Sequence, residues 1–202
     1  MKPAAILLLL LFSFGCTRQS KDLPVYGQMP GFQLLDQSGK AFADKDLRGK
    51  VCVVNFVFTS CGMTCPMLTR RMKGVQDQLL ENFTPEIQQK VQIVSFSVDP
   101  ERDTPERLLA YAKEYGADAR LWVFLTGPLS DITRTVVDGF KISMGKQPVP
   151  QQGEAEIFEV VHGEKFVLVD AQGRIRGYYD SDRSGIKRML SDLKSLLKES
   201  SA

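Results

Sequence analysis

Residues 51–66 read VCVVNFVFTSCGMTCP, and this stretch decides the fold of the chain. Residues 51–58 are an almost unbroken run of β-branched and aromatic side chains, which is typical of a strand buried on both faces of a sheet. The loop that follows carries two cysteines. Pro66 suits the first turn of a helix, because the missing N–H is not needed there. We therefore predict a central strand, a cysteine loop and a helix in succession.

Strands and helices alternate on either side of this stretch. Two more buried strands are predicted at residues 91–98 and 121–125, with helices before, between and after them. Hairpins are predicted within residues 32–42 and 166–179, a surface loop over 143–156, a short strand at 157–161, and a last helix through residues 186–197. This order predicts one α/β domain with helices on both faces of the sheet.

The composition is that of a globular protein with one ordinary core. The chain has 202 residues, of which 43% are hydrophobic and 25% charged, and its formal net charge is +2. Lys and Arg do not form a long run, so the concentrated basic face that nucleic-acid binding needs is missing from the sequence. Nucleic acid is therefore not an expected partner.

The first residues resemble a secretory signal. Lys2 precedes a short apolar run that ends in Gly15 and Cys16. The run is shorter than the roughly 20 apolar residues that span a bilayer. We interpret residues 1–16 as a bacterial lipoprotein-type signal ending at a lipidated Cys16, 17–29 as a tether, and 30–200 as the folded domain. The domain is then expected outside the cytoplasm, held to the cell membrane by lipid and facing the periplasm or the outer face. A plain signal peptide or a short uncleaved anchor would also put it outside the cytoplasm.

Cys61 and Cys65 are the residues of this loop that carry chemistry. They are expected at the end of a buried strand and the start of a helix, where the helix N-terminus favours thiolates. Two cysteines at this spacing can turn both sulfurs toward one point, to form a disulfide or to hold one metal ion. A static structural pair is the alternative. The spacing is one residue longer than the Cys-x-x-Cys of thioredoxin.

Three segments together resemble the SCO/SenC family of copper proteins. They are FVFTSCGMTCP at residues 56–66, SVDPERDTP at 97–105, and His162 shortly before FVLVD at 166–170. The segments occur in the family's order, and the resemblance extends from about residue 26 to the last helix. It departs from the family at Gly163, where Ser or Thr is more usual.

This resemblance implies a thioredoxin-like fold with an N-terminal β-hairpin and an inserted loop or hairpin before the last helix. It implies that Cys61, Cys65 and His162 bind copper, as Cu(I) or Cu(II), with one ion per chain. Asp99 and Asp103 occupy the positions of the family's acidic pair near the site. The same residue types also end strands and cap helices, so that structural role stays open for both.

The donor set agrees with this implication. Two thiolates suit Cu(I), and an added imidazole allows Cu(II). A closed zinc site wants four ligands, and the sequence supplies neither a second histidine nor a further motif cysteine, although Asp99 could add an oxygen. Cys52 lies inside the predicted strand and is expected to be a small buried residue.

The resemblance implies a metallochaperone that delivers copper to the binuclear copper site of cytochrome c oxidase. The expected partners are the copper-bearing oxidase subunit or another copper chaperone. The alternative is a thiol–disulfide oxidoreductase, with Cys61 and Cys65 as its redox pair, that keeps those or other extracytoplasmic cysteines reduced. A peroxide-reducing relative of the peroxiredoxins is less consistent with His162. The chain is not expected to be a classical enzyme, apart from a thiol–disulfide reductase activity of Cys61 and Cys65.

Overall fold

An eight-stranded mixed sheet is the centre of the computed structural model, which describes residues 23–60, 64–144, 146–148, 158–160 and 164–200. The strands are β1 (Gly27–Gln28), β2 (Gln33–Asp36), β3 (Ala41–Ala43), β4 (Val51–Val57), β5 (Val91–Ser97), β6 (Trp122–Thr126), β7 (Lys146–Pro148), β8 (Phe158–Val160), β9 (Lys165–Val169) and β10 (Arg174–Asp180). The helices are α1 (Thr64–Asn82), α2 (Pro85–Gln88), α3 (Pro105–Glu114), α4 (Leu129–Thr133) and α5 (Arg183–Glu199), with a 3₁₀ turn at Asp44–Leu47.

Three parallel strands form the middle of the sheet. The strand order is β1-β10-β9-β4-β5-β6-β2-β3, and β4, β5 and β6 run parallel while β9 lies antiparallel to β4. Every residue of β4 and of β5 is buried. The continuous apolar runs that predicted these two strands therefore reflect a sheet covered on both faces.

The sheet separates two apolar layers. One layer packs α1, α3 and α5 against one face, through residues such as Met72, Leu108 and Met189. The other packs α4 against the opposite face through residues such as Ile132, and strand β2, which pairs with β6 at the edge of the sheet, adds Leu34 to this layer. The predicted α/β architecture with helices on both faces is confirmed.

Some boundaries differ from the predicted ones. Helix α1 begins at Thr64, two residues before Pro66. The segment predicted as a surface loop over 143–156 contains β7, which pairs with β8 in a separate two-stranded sheet. Helix α4 continues as a π-helical segment, Arg134–Gly139. Among the helices that the structure describes, none has the length and apolar character needed to cross a membrane.

Residues 23–29, assigned to the tether from the sequence, lie against the sheet. Leu23 is only 5% exposed, and β1 pairs with β10. The buried guanidinium of Arg176 donates to the Leu23 carbonyl at 2.7 Å and to the Pro24 carbonyl at 3.2 Å. It also pairs with Asp170 at 2.8 Å. The apolar side chain of Leu23 and the donors of Arg176 hold this segment to the domain.

Candidate metal centre

Cys65 lies in the first turn of α1, just beyond the carboxyl end of β4. Its side chain is fully buried and belongs to the apolar cluster that contains Phe56 and Val98. The central strand and the cysteine-bearing helix start therefore stand where the sequence predicts them. Cys61 and His162, the other two predicted ligands, lie outside the described residues, as does Cys16.

The carboxyl ends of β4 and β5 meet beside this helix start. Val57 is paired with Ser97, and the Val98 amide donates to the Val57 carbonyl at 2.8 Å. The segment carrying Asp99 and Asp103 follows β5 directly. The parallel pairing thus brings the second predicted motif to the edge of the sheet where the cysteine loop begins, as the switch-point geometry of α/β sheets favours.

Asp103 ties the cysteine loop to this second motif. Its carboxylate is fully buried and accepts hydrogen bonds from the Thr59 hydroxyl at 2.6 Å, the Thr59 amide at 3.2 Å and the Ser97 hydroxyl at 2.7 Å. The N-cap of α3 is Thr104, whose hydroxyl accepts from the Arg107 amide at 3.3 Å. Asp103 therefore is not a helix cap: it fixes the backbone two residues before Cys61.

Asp99 is a buried carboxylate with spare acceptor capacity. It is 3% exposed, and one oxygen, Oδ2, lies 3.6 Å from Nε of Arg102. Its other oxygen, Oδ1, has no hydrogen-bond partner in the described part of the chain. A buried acceptor that stays unsatisfied costs about 1–3 kcal/mol, so this oxygen is suited to accept one further hydrogen bond.

Burial and the charge of Asp99 both act on the Asp103 carboxylate. Burial raises the pKa of Asp103, and the negative charge of Asp99 adds to this, while the hydrogen bonds from Thr59 and Ser97 oppose it. Two carboxylates in the five-residue segment 99–103 therefore add negative charge to this edge of the sheet. A cation bound nearby would relieve the repulsion between them.

The rim of the site contains polar contacts that sequence reasoning missed. Arg107 donates to the Ser60 hydroxyl at 3.1 Å, and the hydroxyls of Thr69 and Tyr111 are 2.7 Å apart. Burial raises the pKa of Tyr111, and negative charge at Cys65 contributes in the same direction. Thr104 and Pro105 indicated from the sequence that a helix starts there, but they gave no sign that α3 would begin beside the cysteine loop.

Cys52 is remote from this site. It is 1% exposed, its thiol donates to the Lys50 carbonyl at 3.6 Å, and burial raises the pKa of its thiol to about 12. Five strand residues, about 17 Å at 3.3–3.4 Å per residue, separate it from the end of β4. The prediction that Cys52 is a buried structural residue is confirmed.

The described residues do not by themselves form a metal site. No group of three or more His, Cys, Asp or Glu side chains that could hold a metal ion occurs among them. What they supply is one buried thiol at a helix start and one unsatisfied carboxylate oxygen, on a scaffold braced by Asp103. A second thiolate and an imidazole, from Cys61 and His162, would complete a donor set suited to copper.

Several proteins of known name and structure are similar to this chain. The SCO1 protein homolog of Bacillus subtilis is 33% identical over 191 residues, which cover 93% of this chain and 92% of that protein. A SCO1/SenC family lipoprotein from Bacillus anthracis superimposes with a TM-score of 0.72 at 36% identity, covering 84% of this chain and 95% of that one.

Two further structures carry functional descriptions. BsSco, described as a member of the Sco family of cytochrome c oxidase assembly proteins with a disulfide switch, matches with a TM-score of 0.70 at 33% identity, covering 88% of this chain and 96% of that one. Copper-bound Bradyrhizobium japonicum ScoI matches with a TM-score of 0.68 at 28% identity, covering 84% of this chain and 99% of that one.

These likenesses confirm the thioredoxin-like fold class that the sequence predicted, since the matching structures are Sco proteins of that fold. The family resemblance inferred from three short segments is confirmed over nearly the whole chain, because residues 24–198 match the SCO1/SenC family. This chain belongs to the SCO1/SenC family.

Proposed function

We propose that this protein is a copper metallochaperone that binds one copper ion through Cys61, Cys65 and His162. It delivers that ion to the binuclear copper site of cytochrome c oxidase during assembly. Support comes from the copper-bound ScoI structure and from BsSco, which is described as belonging to a family of oxidase assembly proteins. The copper is cargo in this role, and it is exchanged rather than consumed.

The observation that carries the proposal is the position of Cys65. Cys65 lies in the first turn of α1, and the free N–H groups and partial positive charge of a helix N-terminus favour a thiolate. Thiolates are the ligands that select Cu(I). The buried Asp103 holds the preceding loop at Thr59, so the backbone that leads to Cys61 is fixed on one side before any ion binds.

Transfer follows from this arrangement by ligand exchange. A thiol of the incoming partner adds to the copper while one ligand of this chain leaves, and the proton lost by the partner's thiol is matched by one gained by the departing thiolate. Copper does not change its oxidation state in this exchange.

A thiol–disulfide oxidoreductase is the second candidate, and the disulfide switch of the similar BsSco favours it. In this reaction one thiolate of the Cys61–Cys65 pair attacks a partner disulfide, and a mixed disulfide forms as one partner sulfur leaves. The second cysteine then displaces the other partner sulfur. The partner gains two thiols, and this chain is left with a Cys61–Cys65 disulfide.

Anchoring outside the cytoplasm completes the proposal. We infer a lipid on Cys16 from the signal pattern, and the similar Bacillus anthracis protein is described as a lipoprotein. Mass spectrometry of the membrane-extracted protein tests this directly. A diacylglyceryl-modified N-terminal cysteine is expected, and a free N-terminus at another residue would exclude it.

Copper titration of the reduced protein tests the main proposal. Wild type is compared with Cys61→Ser, Cys65→Ser and His162→Ala, and Cys52→Ala is the matched control, because Cys52 is a buried cysteine at the other end of β4. Binding of one copper ion, weakened in the first three variants and kept in Cys52→Ala, is the expected result. Absence of stoichiometric binding by wild type would exclude the chaperone role. Partner reduction that is indifferent to His162→Ala would favour the oxidoreductase.

A further inference from the structure

A basic groove runs between α1 and α5, on the face of the molecule that the proposed copper chemistry does not use. Its volume is about 770 Å³, within the roughly 300–1,000 Å³ of clefts that bind ligands. Four cationic side chains line it, Arg71, Arg183, Lys187 and Lys194, and none of the described residues that line it carries a carboxylate.

The two helices run in the same direction along the groove. Arg71 donates to the Ser181 hydroxyl at 2.9 Å, next to the start of α5. At the far end, the Lys194 ammonium lies 5.7 Å from the centre of the Phe83 ring, just past the end of α1. The groove therefore follows α1 from Arg71 to Asn82, about 16 Å at 1.5 Å per residue.

The positive charge of this groove is not neutralised locally. Within the described residues, Arg183, Lys187 and Lys194 take part in none of the ion pairs. Two carboxylates on the helices that form the groove are engaged elsewhere: Asp77 pairs with Lys73 at 2.6 Å, and Asp192 accepts from the Tyr179 hydroxyl at 2.8 Å. Uncompensated charge of one sign along a concave surface attracts and orients a partner of the opposite sign.

The floor of the groove is apolar and recessed. Ile186 and Leu190 line it, and a Cβ built on Gly74 would meet no atom within 4 Å. A flat bilayer surface reaches the exposed ammonium groups on the rim but not this floor. An extended or helical chain with apolar and acidic side chains reaches both.

We propose that the α1–α5 groove docks an acidic, partly apolar segment of a partner protein. Its upper end at Arg71 lies six residues from Cys65, about 9 Å along the helix axis. A partner seated in the groove is thus placed to reach the cysteine loop. That last role depends on the proposed copper function, whereas binding of an acidic segment does not.

Fluorescence anisotropy of a labelled peptide tests the docking. The full chain in neutral phosphatidylcholine nanodiscs is titrated against the peptide EELLEELLEELLEE at low salt, with QQLLQQLLQQLLQQ as the uncharged control. Lys187→Gln with Lys194→Gln is expected to weaken binding about tenfold, because two charge contacts are lost. Lys113→Gln with Lys198→Gln, an equal charge change on exposed lysines outside the groove, should leave binding unchanged.

Two substitutions at Gly74 distinguish binding in the groove from nonspecific electrostatic attraction. Gly74→Trp fills the recess and should abolish binding, while Gly74→Ala should not. Equal binding by wild type and Gly74→Trp would overturn the proposal. The proposal would also be overturned if phosphatidylglycerol nanodiscs protected α5 from hydrogen exchange while the peptide did not bind. That result would assign the groove to lipid. Copper titration of Gly74→Trp should match wild type, so a failed docking test and a failed copper proposal remain distinguishable.

Discussion

Asp103→Ala removes the side chain that ties the cysteine loop to β5. Three donors lose their acceptor, the Thr59 amide, the Thr59 hydroxyl and the Ser97 hydroxyl, and hydrogen bonds to a charged group are worth about 1.5–3 kcal/mol each. The two hydroxyls can rotate toward other acceptors, but the amide cannot. Removing a buried charge that Asp99 repels returns part of the loss. We expect a net loss of about 2–4 kcal/mol in the free energy of unfolding.

Asp103→Asn should keep most of this stability. The amide oxygen can still accept from Thr59, and the amide nitrogen can donate to the Ser97 hydroxyl, so we expect a change below about 1 kcal/mol. Guanidinium unfolding of the reduced, metal-free protein at pH 7 measures both variants. Asp131→Ala, which breaks a surface ion pair with Arg134 at 2.8 Å, is the control and should cost about 0–1 kcal/mol.

The pH dependence provides a second readout of the same carboxylate. Because burial raises the pKa of Asp103, the folded protein holds more protons here than the unfolded chain does above pH 3.8, up to the raised folded pKa. The free energy of unfolding of wild type should therefore increase as the pH falls from the raised pKa of Asp103 toward 3.8. Asp103→Asn should not show this increase. A loss below about 1 kcal/mol in Asp103→Ala, or identical pH profiles for wild type and Asp103→Asn, would refute the reasoning.

Four further predictions concern other parts of the molecule. Asp170→Asn should cost about 3 kcal/mol, because it removes the nearer of the two carboxylates that pair with the buried Arg176 guanidinium, 2.8 Å away against 3.6 Å for Glu199. Burial opposes the effect, but hydrogen bonds from two arginines lower the pKa of Asp170. Wild type should therefore lose this stability as the pH falls below 3.8, and the variant should not. Urea unfolding at a series of pH values measures the difference. Copper should raise the melting temperature of the reduced protein, and Cys65→Ser should abolish the shift in calorimetry, whereas an unchanged shift would exclude Cys65 as a ligand. Gly74→Ala should stabilise by about 0.5–1 kcal/mol, because Gly is unfavourable inside a helix and the space is open. Gly185→Ala should instead destabilise the protein, because its Cβ would lie 2.0 Å from a backbone carbonyl oxygen. Equal melting temperatures for wild type and Gly185→Ala would contradict the packing of α5.

The parts of the fold that were predictable are those with a local signal. The buried runs of β4 and β5, and the Pro105 and Gly116 that bracket α3, express burial and helix-end preferences within a few residues. The attachment of Leu23 has no such signal, because its carbonyl is held by Arg176, 153 residues away. A polar segment with a single leucine does not reveal that its backbone satisfies a buried guanidinium.

The candidate site, too, was predictable only where the sequence carries a local signal. The spacing of Cys61 and Cys65 before a helical pattern indicated a thiol site, and Cys65 stands at the start of α1 as expected. The role of Asp103 stayed open between cap and site, because its partner Thr59 is 44 residues away and is brought near only by the parallel pairing of β4 with β5. Asp and Thr are both good N-caps, so local preference could not decide which of residues 103 and 104 caps α3.

The attachment of Leu23 to Arg176 determines where mechanical load enters the domain. Strand β10 is antiparallel to β9, which is antiparallel to β4, so the beginning of β10 lies at the end of the sheet where β4 starts. The cysteine loop leaves from the other end, about 20 Å away along the strands. Any pull transmitted through the chain that precedes Leu23 therefore falls on Arg176 and on the pairing of β1 with β10. The backbone around Cys65, which follows the other end of β4, is spared that force.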